Sequence, residues 1–161
     1  EADETGVDYD KLIKDFGCHK ISPEQILKIE DLTKKKAHWF LRRGIFFSHW
    51  DLEVILDKFQ NGQAFYLYTG RGPSSESLHI GHAVPFIFTK YLQEAFDVPL
   101  VIQLTEDEKF IFKKDLTLET AQSLAKMNIK DIIAFGFNPE KTFIFQDTEY
   151  IKYLYPNTLK I

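Results

Sequence analysis

Ala64-Phe65-Tyr66-Leu67-Tyr68-Thr69-Gly70-Arg71-Gly72-Pro73-Ser74-Ser75-Glu76-Ser77-Leu78-His79-Ile80-Gly81-His82 decides the fold. Residues 64–68 are a short apolar run that stops at Thr69-Gly70, the pattern of a buried strand. Residues 70–77 are rich in Gly, Ser and Pro and read as a loop. From about Leu78 a helix is predicted as far as Phe96, with Pro85 limiting or bending its early turns. The alternation then repeats. Residues 99–104, Pro-Leu-Val-Ile-Gln-Leu, read as a second buried strand, residues 117–135 as a helix stopped by Gly136, and residues 142–145 as a third strand. Strand–helix–strand–helix–strand with buried strands specifies an α/β unit with a parallel sheet and right-handed crossovers. Such sheets bind ligands beyond the carboxyl ends of their strands. Those ends are Tyr68-Thr69-Gly70, Gln103-Leu104-Thr105 and Phe145-Gln146-Asp147.

Upstream of the first strand the pattern is helical. Ser22 is a cap, Pro23 suits a first turn and Gln25 completes a capping box. Ile26, Leu27, Ile29 and Leu32 supply an apolar face, and the solvated lysines Lys34, Lys35 and Lys36 close the helix. A further helix starts after Ser48 or Asp51, uses Leu52, Val54, Ile55, Leu56 and Phe59, and ends at Asn61-Gly62. Residues 1–20 are acidic and then mixed. Val7, Tyr9, Leu12, Ile13 and Phe16 would pin them as an arm or short hairpin.

The totals exclude several classes. The chain has 161 residues, 44% apolar and 15% aromatic, enough for a core and unlike a disordered segment. A net charge of −4 argues against a chain whose main task is gripping nucleic acid. The single cysteine, Cys18, forms no intrachain disulfide, and no Cys or His set has metal-site spacing; a reducing compartment is expected. His19, His38 and His49 fall outside any such set, and Trp39 and Trp50 read as packing residues. No apolar run approaches the ~18 residues of a membrane span, and the acidic N-terminus is unlike a leader. There is no internal repeat.

The chemistry lies at the start of the 78–96 helix. Unpaired N–H groups and the helix dipole attract anions there. His79 and His82, three residues apart, share one helix face and can offer N–H donors to a triphosphate. Gly81 leaves room for a flat base against the backbone. There is neither a Gly-x-x-x-x-Gly-Lys-Ser/Thr loop nor a Gly-x-Gly-x-x-Gly fingerprint, so histidines rather than a loop lysine must hold the phosphates.

His79-Ile80-Gly81-His82 is the His-Ile-Gly-His signature that this chain shares with class I aminoacyl-tRNA synthetases. The longer context resembles the eukaryotic and archaeal tryptophanyl-tRNA synthetases. It comprises Thr69 to Glu76, residues 85–90 (Pro-Phe-Ile-Phe-Thr-Lys), and residues 103–109 (Gln-Leu-Thr-Glu-Asp-Glu-Lys). To these it adds residues 41–49 (Leu-Arg-Arg-Gly-Ile-Phe-Phe-Ser-His) and the early Thr5-Gly6-Val7-Asp8-Tyr9-Asp10. Nearly the whole chain is covered in order, residues 148–161 least well.

The resemblance implies a Rossmann-like parallel sheet, truncated, behind an N-terminal helical or hairpin extension. Residues 1–62 would be that extension, packing on the catalytic domain, and residues 63–161 the N-terminal half of that domain. It implies ATP-dependent activation of tryptophan to tryptophanyl-adenylate, then transfer to tRNA(Trp). Such chemistry needs positioning and charge stabilisation, with Mg²⁺ on the phosphates, and no covalent enzyme intermediate. His79, His82, Arg71 and Lys109 are the implied catalytic residues. Gly70, Arg71, Gly72, Ser74, Ser75, His79, Gly81 and His82 would line the ATP site, with Ser74 and Ser75 also able to cap the helix. Tyr68 and Gln103 would accept the indole N–H, a role that suits a glutamine inside an apolar strand, and Glu108 would meet the ammonium group.

The family's second signature, Lys-Met-Ser-x-Ser, has no counterpart, since Met127 is the one methionine and no Met-Ser pair occurs. The chain opens on Glu1, and the helical anticodon-binding domain is also absent. These residues therefore read as the N-terminal part of a longer, cytoplasmic, homodimeric protein that contacts tRNA mostly through other regions. In isolation they are expected to be weakly active or inactive. Two alternatives stay open: another His-x-Gly-His nucleotidyltransferase, and a non-catalytic synthetase fragment acting as a binding module.

Overall fold

The structure, a computed structural model, describes residues 8–161, so Thr5, Gly6 and Val7 of the early string lie outside the described residues. The chain divides into two compact units, Glu1–Phe65 and Tyr66–Ile161.

In the first unit, the segment read as an arm or hairpin forms helix α1 (Tyr9–Phe16). Asp8 accepts the Lys11 amide at 2.9 Å, and Gly17 ends the helix at φ 63°. Only the residues that follow pair as strands: β1 (His19–Lys20) runs antiparallel to β2 (Ser48–His49). Helix α2 (Pro23–Thr33) has the capping box read from Ser22 and Gln25, the two reciprocal bonds measuring 3.2 and 2.9 Å. Ile29 is its buried anchor. Leu27, placed on the apolar face from sequence, is instead exposed, because it lies two residues (about 200°) around the helix from Ile29.

A short helix, α3 (Trp39–Arg42), buries Phe40 and Leu41. Trp50 is exposed rather than packed inside, and its indole N–H donates to the Gly17 carbonyl at 3.0 Å. Helix α4 (Leu52–Gln60) buries Leu56, and Lys28 of α2 bridges to Glu53 and Asp57 of α4, both at 3.0 Å. Asp51 supplies no side-chain cap; His49 accepts the Leu52 amide through Nδ1 at 3.1 Å instead.

The second unit is built on a three-stranded parallel sheet, β3 (Leu67–Arg71), β4 (Leu100–Leu104) and β5 (Thr142–Gln146), in the order β3-β4-β5. The first strand starts three residues later than the apolar run suggests. Phe65 rings pair edge-on with Phe59 in the first unit, so part of the run is used there. The ladder is set by β4: the Leu67 amide donates to Pro99 O at 2.8 Å, and the Thr105 amide donates to Arg71 O at 3.1 Å. Gly70 and Arg71 are therefore strand, not loop.

Helices α5 (Ile80–Phe96) and α7 (Leu118–Ala134) connect the strands. Alternate β4 residues Leu100, Ile102 and Leu104 pack with Phe86 of α5 and Ala125 and Ile132 of α7 into the core, as the two-residue strand period requires. Pro85 sits in the second turn of α5 without ending it, and Gly136, at φ 76°, follows α7.

Two further helices, absent from the sequence reading, follow the strand ends: α6 (Glu106–Phe112) and α8 (Asp147–Thr158). The start of α8 is capped from outside. Glu106 is fully buried, and its carboxyl oxygens accept from the Asp147 amide at 3.2 Å, the Thr148 amide at 2.9 Å and the Thr148 hydroxyl at 2.7 Å. Removing that cap leaves several buried donors unpaired. Glu106→Ala is therefore expected to lower unfolding free energy by about 3 kcal/mol, read by urea denaturation, with Glu106→Gln losing less because one acceptor oxygen remains.

Candidate functional site

The residues singled out from the sequence gather at the carboxyl ends of the three strands. Register places Gly70 beside Gln103 and Arg71 beside Leu104, with Gln146 next across. Three groups of side chains stand on this edge.

The first group is the start of α5. The helix cap is His79 itself, rather than Ser74 or Ser75: its Nδ1 accepts the Gly81 amide at 3.1 Å. A ring nitrogen that accepts a backbone N–H is unprotonated, so the neutral imidazole carries its hydrogen on Nε2. The ring packs closely on the glycine: a Cβ at Gly81 would lie 3.1 Å from it and push it by a few tenths of an ångström. His82 stacks on His79 with centroids 3.5 Å apart. Its Nδ1 is buried with no partner, and burial, followed by the nearby Arg71 and His79, holds its pKa below the ordinary histidine value. His82 is thus neutral at physiological pH.

Arg71, the last residue of β3, supplies the permanent charge. Its Nε donates to Asn128 Oδ1 at 3.2 Å, while Nη2 is buried with no partner, and burial lowers its pKa. Asn128 was not read from the sequence. It is fully buried on α7 and donates to the Ser75 and Leu124 carbonyls at 2.7 and 2.9 Å. One helical turn on, Asp131 accepts the Leu78 amide at 3.2 Å. One face of α7 thereby fixes both Arg71 and the loop that leads into α5. The exposed Ser75 hydroxyl donates to the Ser77 carbonyl at 3.0 Å.

The second group is Glu108 and Lys109 on α6. Lys109 lies across Gly72 so closely that a Cβ there would fall 2.2 Å from Lys109 Cε, so any side chain at position 72 displaces the lysine tip. Lys109 pairs with Glu108 at 3.1 Å, and Thr105 donates to the other carboxylate oxygen at 3.1 Å. These hydrogen bonds hold the Glu108 pKa below its usual value.

The third group is a chain from β3 through β4 to the first residue of α8. The Tyr68 hydroxyl donates to Gln103 Oε1, and Gln103 Nε2 donates to Asp147 Oδ1 at 2.6 Å. Asp147 is only 8% exposed. Burial pushes its pKa up to about 6, Asp107 and Glu106 add to the rise, and the Gln103 hydrogen bond opposes it. The sequence placed Asp147 at a strand end without giving it a role. The Tyr68 pKa is raised by burial and then by Asp147.

The three remaining histidines have local roles: His38 accepts the Phe40 amide at 3.2 Å at the start of α3, His49 caps α4, and His19 lies opposite His49 in the β1–β2 pair.

A helix start with two stacked imidazoles and a cation, beside a separate amide–carboxylate chain, suits the phosphates of a nucleotide and a second, smaller ligand. That is the class of nucleotide-binding α/β domains. Comparison with known proteins narrows it: residues 60–159 match the family of tRNA synthetases class I (W and Y), and the chain belongs to that family.

Within the family it is similar to the tryptophan-specific members. It is 55% identical to the cytoplasmic tryptophan–tRNA ligase of Schizosaccharomyces pombe over 100% of this chain and 41% of that protein. The tryptophanyl-tRNA synthetase of Plasmodium falciparum superposes with a TM-score of 0.91 at 58% identity, covering 95% of this chain and 42% of that one. That of Encephalitozoon cuniculi, bound to tryptophan, gives a TM-score of 0.91 at 48% identity, over 96% and 43% of the two chains. The chain spans 33–41% of the length of the first curated relatives it matches. The sheet and its crossovers are those of the class I synthetase Rossmann-like fold. Among the described residues no helix is long and apolar enough to cross a membrane.

The raised Asp147 pKa has a signed consequence for stability. The folded protein binds this proton more tightly than the unfolded chain between the ordinary value of 3.8 and about 6, so this group's contribution falls as pH rises through that window. Asp147→Asn is expected to raise the melting temperature at pH 7–8 and to flatten its dependence between pH 4 and 6, measured by thermal denaturation across that range.

Proposed function

We propose that this chain is the N-terminal half of the catalytic domain of a tryptophan–tRNA ligase, with residues 1–62 an extension of that domain and residues 63–161 the first half of the nucleotide fold. The observation that carries the reading is the Tyr68–Gln103 pair. A carboxamide in the apolar strand β4, bonded to a tyrosine hydroxyl on the neighbouring strand, stands on the same sheet edge as a His-x-Gly-His helix start.

In the first step a tryptophan carboxylate oxygen attacks the α-phosphorus of ATP, and pyrophosphate leaves. In the second the 3′-terminal ribose of tRNA(Trp) attacks the acyl carbon, and AMP leaves. His79, whose Nδ1 is occupied by the Gly81 amide, offers Nε2–H to a phosphate oxygen. His82, held neutral, donates a hydrogen bond without adding charge. Arg71 supplies that charge through the Nη2 left unpaired. Lys109, lying over Gly72, serves the phosphates from the opposite side, with Mg²⁺ arriving on the nucleotide and neutralising charge there. Gly70, Gly72 and Gly81 permit close backbone approach, and Ser74 and Ser75 belong to the loop that covers the nucleotide. Glu108 holds the substrate ammonium group. Tyr68 and Gln103 accept the indole N–H. The complete protein works in the cytoplasm as a homodimer and contacts tRNA mostly through other regions.

The test is amino-acid-dependent ATP–pyrophosphate exchange by the complete protein. Exchange should follow tryptophan and not tyrosine or phenylalanine. Gln103→Ala should lower kcat/KM for tryptophan about 10–100-fold, the cost of leaving one buried N–H unpaired, with little change in the KM for ATP. Exchange driven equally by another acid would point to a different His-x-Gly-His nucleotidyltransferase.

A mutant cycle checks Lys109 separately. Gly72→Ala and Lys109→Ala should each reduce kcat for exchange, and the double variant should be no worse than the Lys109→Ala single, because the methyl at position 72 acts by displacing the same lysine. Additive losses would remove Lys109 from the proposed machinery.

A further inference from the structure

We propose that Asp147 is a specificity-positioning residue: by accepting from Gln103 Nε2 it fixes the orientation of the Gln103 amide and so makes the tryptophan site a hydrogen-bond acceptor. The inference rests on the reading of Tyr68 and Gln103 given above and goes one layer beyond it.

A glutamine amide has two orientations of nearly the same shape, which exchange oxygen for nitrogen. A site that must accept an indole N–H works with only one of them. Tyr68 cannot choose by itself, since its hydroxyl can donate to an amide oxygen or accept from an amide nitrogen. An ionised carboxylate can choose, because it accepts and never donates. With Asp147 Oδ1 at 2.6 Å from Gln103 Nε2, the amide oxygen turns toward Tyr68 and takes the Tyr68 hydrogen. Free lone pairs then remain on the Gln103 oxygen and the Tyr68 oxygen, both acceptors.

Asp147 is itself immobilised. It opens α8, and its backbone amide is held at 3.2 Å by the buried Glu106, which also binds both the amide and the hydroxyl of Thr148. The orienting group is thus tied to α6, the helix that also carries Glu108 and Lys109. Burying a carboxylate beside two other acidic residues is unfavourable, as its raised pKa records. A neutral residue would serve packing better, so the cost points to a role in the site.

The experiment compares tryptophan with its benzothiophene analogue, 3-(benzothienyl)alanine, in which sulfur replaces the indole N–H. Pyrophosphate exchange is measured on the complete protein. The unaltered protein should favour tryptophan by about 30-fold or more in kcat/KM, since the analogue covers the acceptor pair without giving it a donor. Asp147→Asn keeps the shape and removes a buried charge, but a carboxamide can donate as well as accept, so both Gln103 orientations become satisfied. In that variant the preference for tryptophan should shrink about tenfold, through tryptophan and not through the analogue, with the KM for ATP unchanged.

The double variant Gln103→Glu with Asp147→Asn presents oxygen in both orientations and a donor behind it, and should restore the preference. An unchanged ratio in Asp147→Asn, an equal loss on both substrates, or a double variant as indiscriminate as the single one overturns the role of Asp147 and leaves the tryptophan site standing. An unaltered protein that does not distinguish the two substrates overturns the reading of Tyr68 and Gln103, and this proposal with it.

Discussion

Strand β4 is the member on which the rest of the second unit depends. It is paired on both sides, so its alternate residues Leu100, Ile102 and Leu104 face the shared core while its backbone sets the register of β3 and β5. Parallel pairing brings all three carboxyl ends to one edge and sends every connection back along the sheet. The candidate site follows from that geometry: Arg71, Gln103 and Gln146 reach the edge together because the strands run the same way. A one-residue slip of β4 would turn Gln103 to the other face and break the Tyr68 contact.

Around this edge stands a layer of polar side chains from the helices, with Asn128, Glu106 and Asp147 buried. Asn128 and Asp131 of α7 hold the loop before α5, Glu106 of α6 holds the start of α8, and Asp147 holds Gln103. Each satisfies groups that would be costly to leave unpaired, and each fixes a neighbouring segment of the candidate site. The electrostatics divide along the same lines. The helix start carries a stacked, neutral imidazole beside one permanent guanidinium, a surface suited to polyanionic phosphate. The far end of the chain of hydrogen bonds ends in a buried acid whose pKa is raised to about 6. Two groups of side chains of different polarity therefore lie on one edge, as the proposed joining of a nucleotide to an amino acid requires.

What could be read directly from the residues was local. The capping box at Ser22 and Gln25, the stop at Gly136, the three apolar strands and the His79–His82 helix start are short-range patterns whose causes lie within a few residues. The polar Gln103 in an apolar run and the Gly-rich stretch from Gly70 marked the candidate site for the same reason. Misreadings came where a distant partner intervened. Residues 64–66 lost their strand because Phe65 pairs with Phe59, and α8 escaped notice because its cap comes from Glu106, far back in the chain.

The sequence by itself determined the α/β alternation, the family and the side chains gathered at the candidate site, because periodicity, turn residues and the signature string are written in consecutive positions. Only the tertiary structure decided how those side chains are held. Asn128 meets Arg71, Lys109 crosses Gly72, and Asp147 meets Gln103 through contacts that parallel pairing and helix packing create between residues far apart in the chain. Hydrogen-bond direction and buried charge depend on such contacts and on the exclusion of water, which no stretch of sequence possesses before it folds.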